Sequence, residues 1–384
     1  MMRVVISALM ALVLLSGCSW FGDEDNSEPP AKLKKFDAQV KLRSLWSHNT
    51  GVGTDEQLVK LIPAVHGNRV YTVDRKGRAS AYLLEDGKRV WQSKTDSKVS
   101  AGPGVDEGLV LLGTSDARVL ALNAENGELL WTVPVSSEVL SVPKVYEGVV
   151  IVQTVDGNMT GLDAESGKRI WIHDRTVPIL SLRGTSTPLI EDGLVLSGFA
   201  SGKMVALDTR SGRQLWEAAI AVPSGRSELQ RMVDLDADAV VRDGVLYVAS
   251  FQGQLAAVSL ENGRVLWSRE MSAYSGIAVD LQQVYVSDEV SSLWALDRRA
   301  GAALWKNSDL QNRALTGPVV VGGYVAVGDF EGYLHLFSRI DGEIVGRQRV
   351  ERSGILVPPV ALGDRLLVLG NGGKLVMYQL TPVE

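Results

Sequence analysis

Residues able to carry out chemistry are few and widely spaced. Asp234, Asp236 and Asp238 stand at alternate positions in the run Arg231-Met232-Val233-Asp234-Leu235-Asp236-Ala237-Asp238. Carboxylates at that spacing open a calcium loop when glycine follows at the sixth position and a bidentate glutamate at the twelfth. Here Ala239 replaces the glycine and Val245 the glutamate, so the sharp turn and the closing ligand are both missing. The four histidines, His48, His66, His173 and His335, are scattered and lack metal-ligand spacing. There is no Gly-x-Ser-x-Gly elbow and no phosphate-binding P-loop. This inventory argues against an enzyme, and no cofactor is implied.

Charge and cysteine usage narrow the field further. Thirty-nine basic residues against 45 acidic ones give a net charge of −6, with no block of Lys or Arg. A nucleic-acid backbone calls for a concentrated basic face, which is not evident here. The one cysteine, Cys18, excludes internal disulfides, Cys-ligated zinc and iron–sulfur clusters.

The elements that position these residues come from a repeat. Trp46, Trp91, Trp131, Trp171, Trp216, Trp267 and Trp305 recur at spacings of 45, 40, 40, 45, 51 and 38. Gly87, Gly127, Gly167, Gly212, Gly263 and Gly301 each stand four residues before a Trp, and an eighth copy around Gly342–Gly346 keeps the glycine without the Trp. Each unit reads as four short strands. In the third they are 141–146, 149–154, 159–163 and 168–172, separated by Glu-Gly, Asp-Gly and Ser-Gly turns. Four strands in about 40 residues is the size of a propeller blade.

Counting strands predicts how the ring closes. The last unit, 358–380, supplies three strands, and 41–46 is a fourth strand with no three before it. Joined, they complete an all-β, eight-bladed β-propeller of four-stranded antiparallel blades, sealed by pairing of the amino- and carboxy-terminal strands. The repeated Gly and Trp residues are then scaffold.

The amino terminus reads as an address. Val4 to Leu15 is an apolar run of 12 residues, too short to span a bilayer, which needs about 20. It ends in Leu15-Ser16-Gly17-Cys18, which resembles the bacterial lipobox and implies that Cys18 is lipidated and becomes the mature first residue. Removing residues 1–17 loses only Arg3, so the net charge becomes −6 − 1 = −7. Ser19, where inner-membrane retention favours Asp, points to the outer membrane. The predicted organisation is signal peptide 1–17, lipidated amino terminus and flexible tether 18–39, and propeller 40–384.

Function on a propeller lies where the repeat is broken. From each fourth-strand Trp (or Gly346) to the next first strand the connections measure 17, 12, 12, 17, 23, 10, 13 and 12 residues. The 17 and 23 in the middle are consecutive and of one type, so they share a face one blade apart. The first contains Leu180-Ser181-Leu182-Arg183-Gly184, two leucines on one side of an extended segment with a cation after them. The second contains the aspartate run, whose carboxylates near Arg183 would order the two loops together. The bland alternatives are leucines filling the rim of their own blade and acids capping local turns.

The Asp-x-x-x-Gly-x-x-x-Trp segments resemble the repeats of pyrroloquinoline-quinone (PQQ) propellers. Those enzymes hold quinone and calcium in the central channel, often against a vicinal disulfide. A single cysteine allows no such disulfide, so the resemblance implies the architecture and not the cofactor. A closer resemblance is to the BamB family of lipoprotein propellers in the bacterial β-barrel assembly machinery. Lipobox, acidic tether and eight repeats cover essentially the whole chain, and both loop motifs are similar to that family's. The resemblance implies a non-enzymatic scaffold for outer-membrane protein assembly, lipid-anchored to the outer membrane and facing the periplasm. It implies that Leu180, Leu182, Arg183, Asp234 and Asp236 contact BamA, the central barrel protein. The rest of the Bam complex follows as partners, and unfolded outer-membrane proteins could add to exposed strand edges. The open alternatives are a quinone-dependent dehydrogenase subunit and a propeller for a surface glycan or another periplasmic partner.

Overall fold

A computed structural model of the chain describes residues 28–383 except 176, 177, 179 and 181–185. The described residues from Ala31 onward form one compact unit of eight sheets. In the third, Lys144–Tyr146, Val149–Gln153, Met159–Asp163 and Arg169–His173 pair antiparallel in chain order. Its first turn holds Glu147 and Gly148 at φ +47° and +76°, the double positive φ that matches the twist of a two-residue hairpin. Innermost strands are short, at three residues in most blades, because the ring narrows toward its axis.

Closure follows the strand count. Val360–Leu362, Arg365–Leu369 and Lys374–Pro382 take Val40–Asn49 as their outermost strand. The register runs antiparallel from Val40 opposite Pro382 to Asn49 opposite Lys374. The fold is therefore the eight-bladed propeller expected, sealed by its two terminal strands.

A blade is buried on both faces, so its middle strands are apolar at successive positions rather than at alternate ones. Leu109–Thr114 is buried throughout. Val110 and Leu112 pack toward blade one, while Leu109 and Leu111 pack toward blade three. The buried side chains fall into eight such clusters, one between each pair of neighbours.

The repeated Trp and Gly residues join one blade to the next. Trp171 donates its indole N–H to the carbonyl of Thr209, 2.9 Å away in the next blade's third turn. A Cβ on Gly212 in that same turn would lie 2.5 Å from the Trp171 ring, so only glycine lets the turn close over it. The same pairing recurs from Trp46 on Leu84 and Gly87 through to Trp305 on Arg339 and Gly342.

One stretch departs from its composition. Residues 31–39, read as part of the flexible tether, are docked on blade seven. The Ala31 amide donates to Gln311 O and the Gln39 amide to Val345 O. Arg313 and Arg347 donate to the carbonyls of Ala31 and Lys34. Leu33 and Phe36 pack on the cluster between blades six and seven, and Arg347 lies 4.9 Å over the Phe36 ring. Two apolar residues and free backbone carbonyls suffice to hold a segment whose lysines dominate its average.

Candidate partner-binding site

Connections from an outermost strand to the next innermost strand pack against the turns between second and third strands. The Phe251 amide donates to Asp234 O and the Val139 amide to Thr114 O. Both long central connections therefore lie on one face.

The first of them leaves blade three at Arg175, which is held against blade four: it pairs with Glu217, bonds Gln214 at 2.8 Å and lies 5.3 Å over the Phe199 ring. Leu180 is exposed. Leu182 and Arg183 lie outside the described residues. The connection returns through buried Ser186, which accepts a hydrogen bond from the Gly198 amide at 3.2 Å.

The second divides into two parts. Residues 222–231 are exposed throughout, with Val222 74% and Leu229 61% open to solvent. Residues 232–235 then turn inward, and Leu235 packs on Gly198. Asp234 is fully buried, while Asp236 is half-buried. Asp234 is thus placed to brace the loop from beneath, and the accessible surface is the Val222–Arg231 stretch that the aspartate run overshadowed.

A third connection enters unforeseen. The 50–62 segment lays Lys60 and Leu61 beside Ala101 and Gly102, parallel to blade two's innermost strand. From there the Lys60 Nζ reaches Asp238 Oδ1 at 2.8 Å. Asp238 begins blade five, three blades around the ring, a gap that a lysine spans only across the axial opening. The same carboxylate oxygen accepts the Thr187 amide at 2.6 Å. Asp238 therefore ties together the three longest connections of the molecule. Their lengths in sequence were a signal for this junction, although the partners were not.

Electrostatics at the junction follow from crowding. Burial, with Asp234 beside it, pushes the Asp236 carboxyl up to about 7. Burial also disfavours the Asp238 carboxylate, but Lys60 and the Thr187 bonds outweigh it and hold the group below its ordinary value. Lys144, on blade three's inner strand, is pushed down by burial and by Lys60 against the pull of Asp238. Among the described residues no three His, Cys, Asp or Glu side chains are placed to hold a metal. The arrangement is suited to recognition: exposed apolar side chains over a fixed charged base.

Residues 75–307 and 295–381 match the family described as outer membrane protein assembly factor BamB. The chain is 46% identical over 375 residues to the assembly factor BamB of Pseudomonas aeruginosa, covering 97% of this chain and 98% of that protein. The chain belongs to the BamB family. The solved BamB of Moraxella catarrhalis superposes with a TM-score of 0.81 at 29% identity, over 88% of this chain and all of that one. A quinohemoprotein alcohol dehydrogenase from Pseudomonas putida superposes with a TM-score of 0.69 at 15% identity, over 90% of this chain and 77% of that chain. That second likeness is one of fold alone. For this BamB-family chain, the long connections are where it departs most from its own repeat.

Proposed function

We propose that the protein is a non-enzymatic scaffold of the β-barrel assembly machinery. It binds BamA through the face carrying its two long central connections and supports insertion of outer-membrane β-barrel proteins. The observation that carries this reading is that Asp238 and Thr187 join two consecutive, non-repeating connections into one surface. On it Leu180, Leu182, Arg183 and Val222–Arg231 meet the partner, while Asp234 and Asp236 hold the base. Lipidation of Cys18 anchors the scaffold to the outer membrane on its periplasmic side, and the other Bam components assemble around it.

Unfolded outer-membrane proteins have a second place to bind. Leu130, Ile170, Leu215, Leu266 and Leu304, each next to a repeated Trp, are exposed on outermost strands whose edges can accept another strand.

The test is co-purification with BamA from membranes. Arg183→Glu should weaken binding by about 2 kcal/mol or more, as for an interface hot spot, with the melting temperature little changed. Leu182→Ala should weaken it less, and Glu165→Lys, on the opposite face, not at all. Wild-type binding by Arg183→Glu would move the site elsewhere.

A further inference from the structure

We propose that Lys60 is a positioning residue for the partner-binding face, holding the two long central connections in place from across the ring. This rests on the reading of that face as the BamA site.

The geometry makes the case in three steps. First, Lys60 is itself fixed. Its backbone pairs with Ala101, Leu61 is fully buried, and the Ile62 amide donates to Gly102 O at 3.1 Å. Second, its ammonium meets both connections at once, at 2.8 Å from Asp238 Oδ1 and 3.5 Å from Thr187 Oγ1. Third, the tie lies where both connections end, whereas the other described ion pair between them, Arg175 with Glu217, lies where they begin. Thr187 closes the first of them and Asp238 the second, and their mutual bond uses the oxygen that Lys60 neutralises. Without the ammonium, that carboxylate would face Asp236 and Asp234 with no opposing charge from blade two.

The arrangement also explains why the connection ahead of blade one is long. A connection of 12 residues suffices elsewhere to step from one blade to the next. The 17 between Trp46 and Pro63 give the chain slack to reach blade two's inner edge before returning. The extra length is what brings a cation to the axis.

The other charges facing this junction are Lys144 and Asp106, on the neighbouring inner strands. Neither bonds the connections directly, so they modulate the brace without replacing it.

The experiment compares Lys60→Met and Lys60→Arg with wild type in the full chain. It measures affinity for the periplasmic region of BamA, and hydrogen exchange at the amides of 186–187 and 232–238. Lys60→Met should lower affinity about tenfold, equivalent to 1.4 kcal/mol, and speed exchange of the Thr187 amide. Lys60→Arg should retain both properties, because it keeps a cation within reach. Arg183→Glu, in parallel, separates the two ideas. If it fails to bind while Lys60→Met binds normally, the brace is refuted and the face stands. If Arg183→Glu also binds normally, the face is refuted and the proposed role of Lys60 falls with it. Unchanged exchange at Thr187 in Lys60→Met refutes the brace whatever the affinities.

Discussion

Gly346 occupies the position that seven other fourth strands give to tryptophan, and a Cβ there would lie 3.0 Å from the carbonyl oxygen of Val40. The two facts have one cause. Each repeated Trp needs the third turn of the following blade as its acceptor, and blade eight has no such turn because its fourth strand starts afresh at Val40. The space is taken instead by the incoming chain, where Gln39 bonds Val345. Gly346→Trp should therefore fail to restore the repeat. Overpacking of this kind destabilises by about 1–3 kcal/mol, and a melting temperature at or above wild type would contradict the explanation.

Stepwise amino-terminal deletion separates anchor, docked segment and seal. Removing 19–30 should leave the melting temperature unchanged. Removing 19–39 also strips Leu33, Phe36 and the bonds to Arg313 and Arg347, so it should lower stability by about 1–3 kcal/mol on burial alone. Removing 19–49 takes the sealing strand and should lower it by several kcal/mol, a large share of the ~5–15 kcal/mol of a typical domain. Calorimetry of the three variants should show two successive drops, and equal melting of the last two would exclude the strand's role.

Acid should loosen blade seven. His335 is fully buried, and its Nδ1 accepts Arg347 Nε at 3.1 Å, which leaves Nε2–H to donate to Asp329 at 2.9 Å. Burial pushes the imidazolium below its ordinary 6.5, reinforced by Arg347 and Arg313 and opposed by Asp329. The unfolded chain thus takes up a proton that the folded chain resists, so stability declines as pH falls below 6.5. Melts of wild type and His335→Gln between pH 7.5 and 5 should diverge, with the variant's slope the shallower. Parallel slopes would remove His335 from the account.

Asp236 should act with the opposite sign. Its folded carboxyl titrates at about 7 against an ordinary 3.8, so folding takes up a proton between those values and stability falls as pH rises through them. Asp236→Asn should therefore melt higher than wild type at pH 8, by a smaller margin at pH 5, and with it only once pH falls to the ordinary carboxyl value of 3.8. A difference that is equal at both pH values would mean that the charge is not the reason.

The ring was legible because its grammar is repeated: a glycine, three residues and a tryptophan mark six of the eight outer strands, and a spare strand at one end with an incomplete unit at the other announces the seal. What escaped was whatever occurs once. Lys60 and Asp238 lie 178 residues apart in connections that share no pattern, and nothing local says that one crosses the axis to the other. The burial of Asp234 was hidden for a similar reason. Alternating aspartates look solvated, yet Met232, Val233 and Leu235 beside them pull the stretch inward. Leu33 and Phe36 were lost among lysines, where averaging over the segment conceals two anchors.

The sealing strands carry a consequence for the order in which the protein can be made. Lys41 and Thr381, neighbours in blade eight, are 340 residues apart in sequence. A chain delivered amino end first presents Val40–Asn49 early, but its partner Lys374–Pro382 arrives last. Seven blades can stack while the eighth waits, since each needs only its neighbours. Until the final strand emerges, the assembly is an open arc with two unpaired ends. An interrupted chain therefore leaves an open edge, the feature by which aggregation or proteolysis distinguishes an unfinished molecule from a finished one.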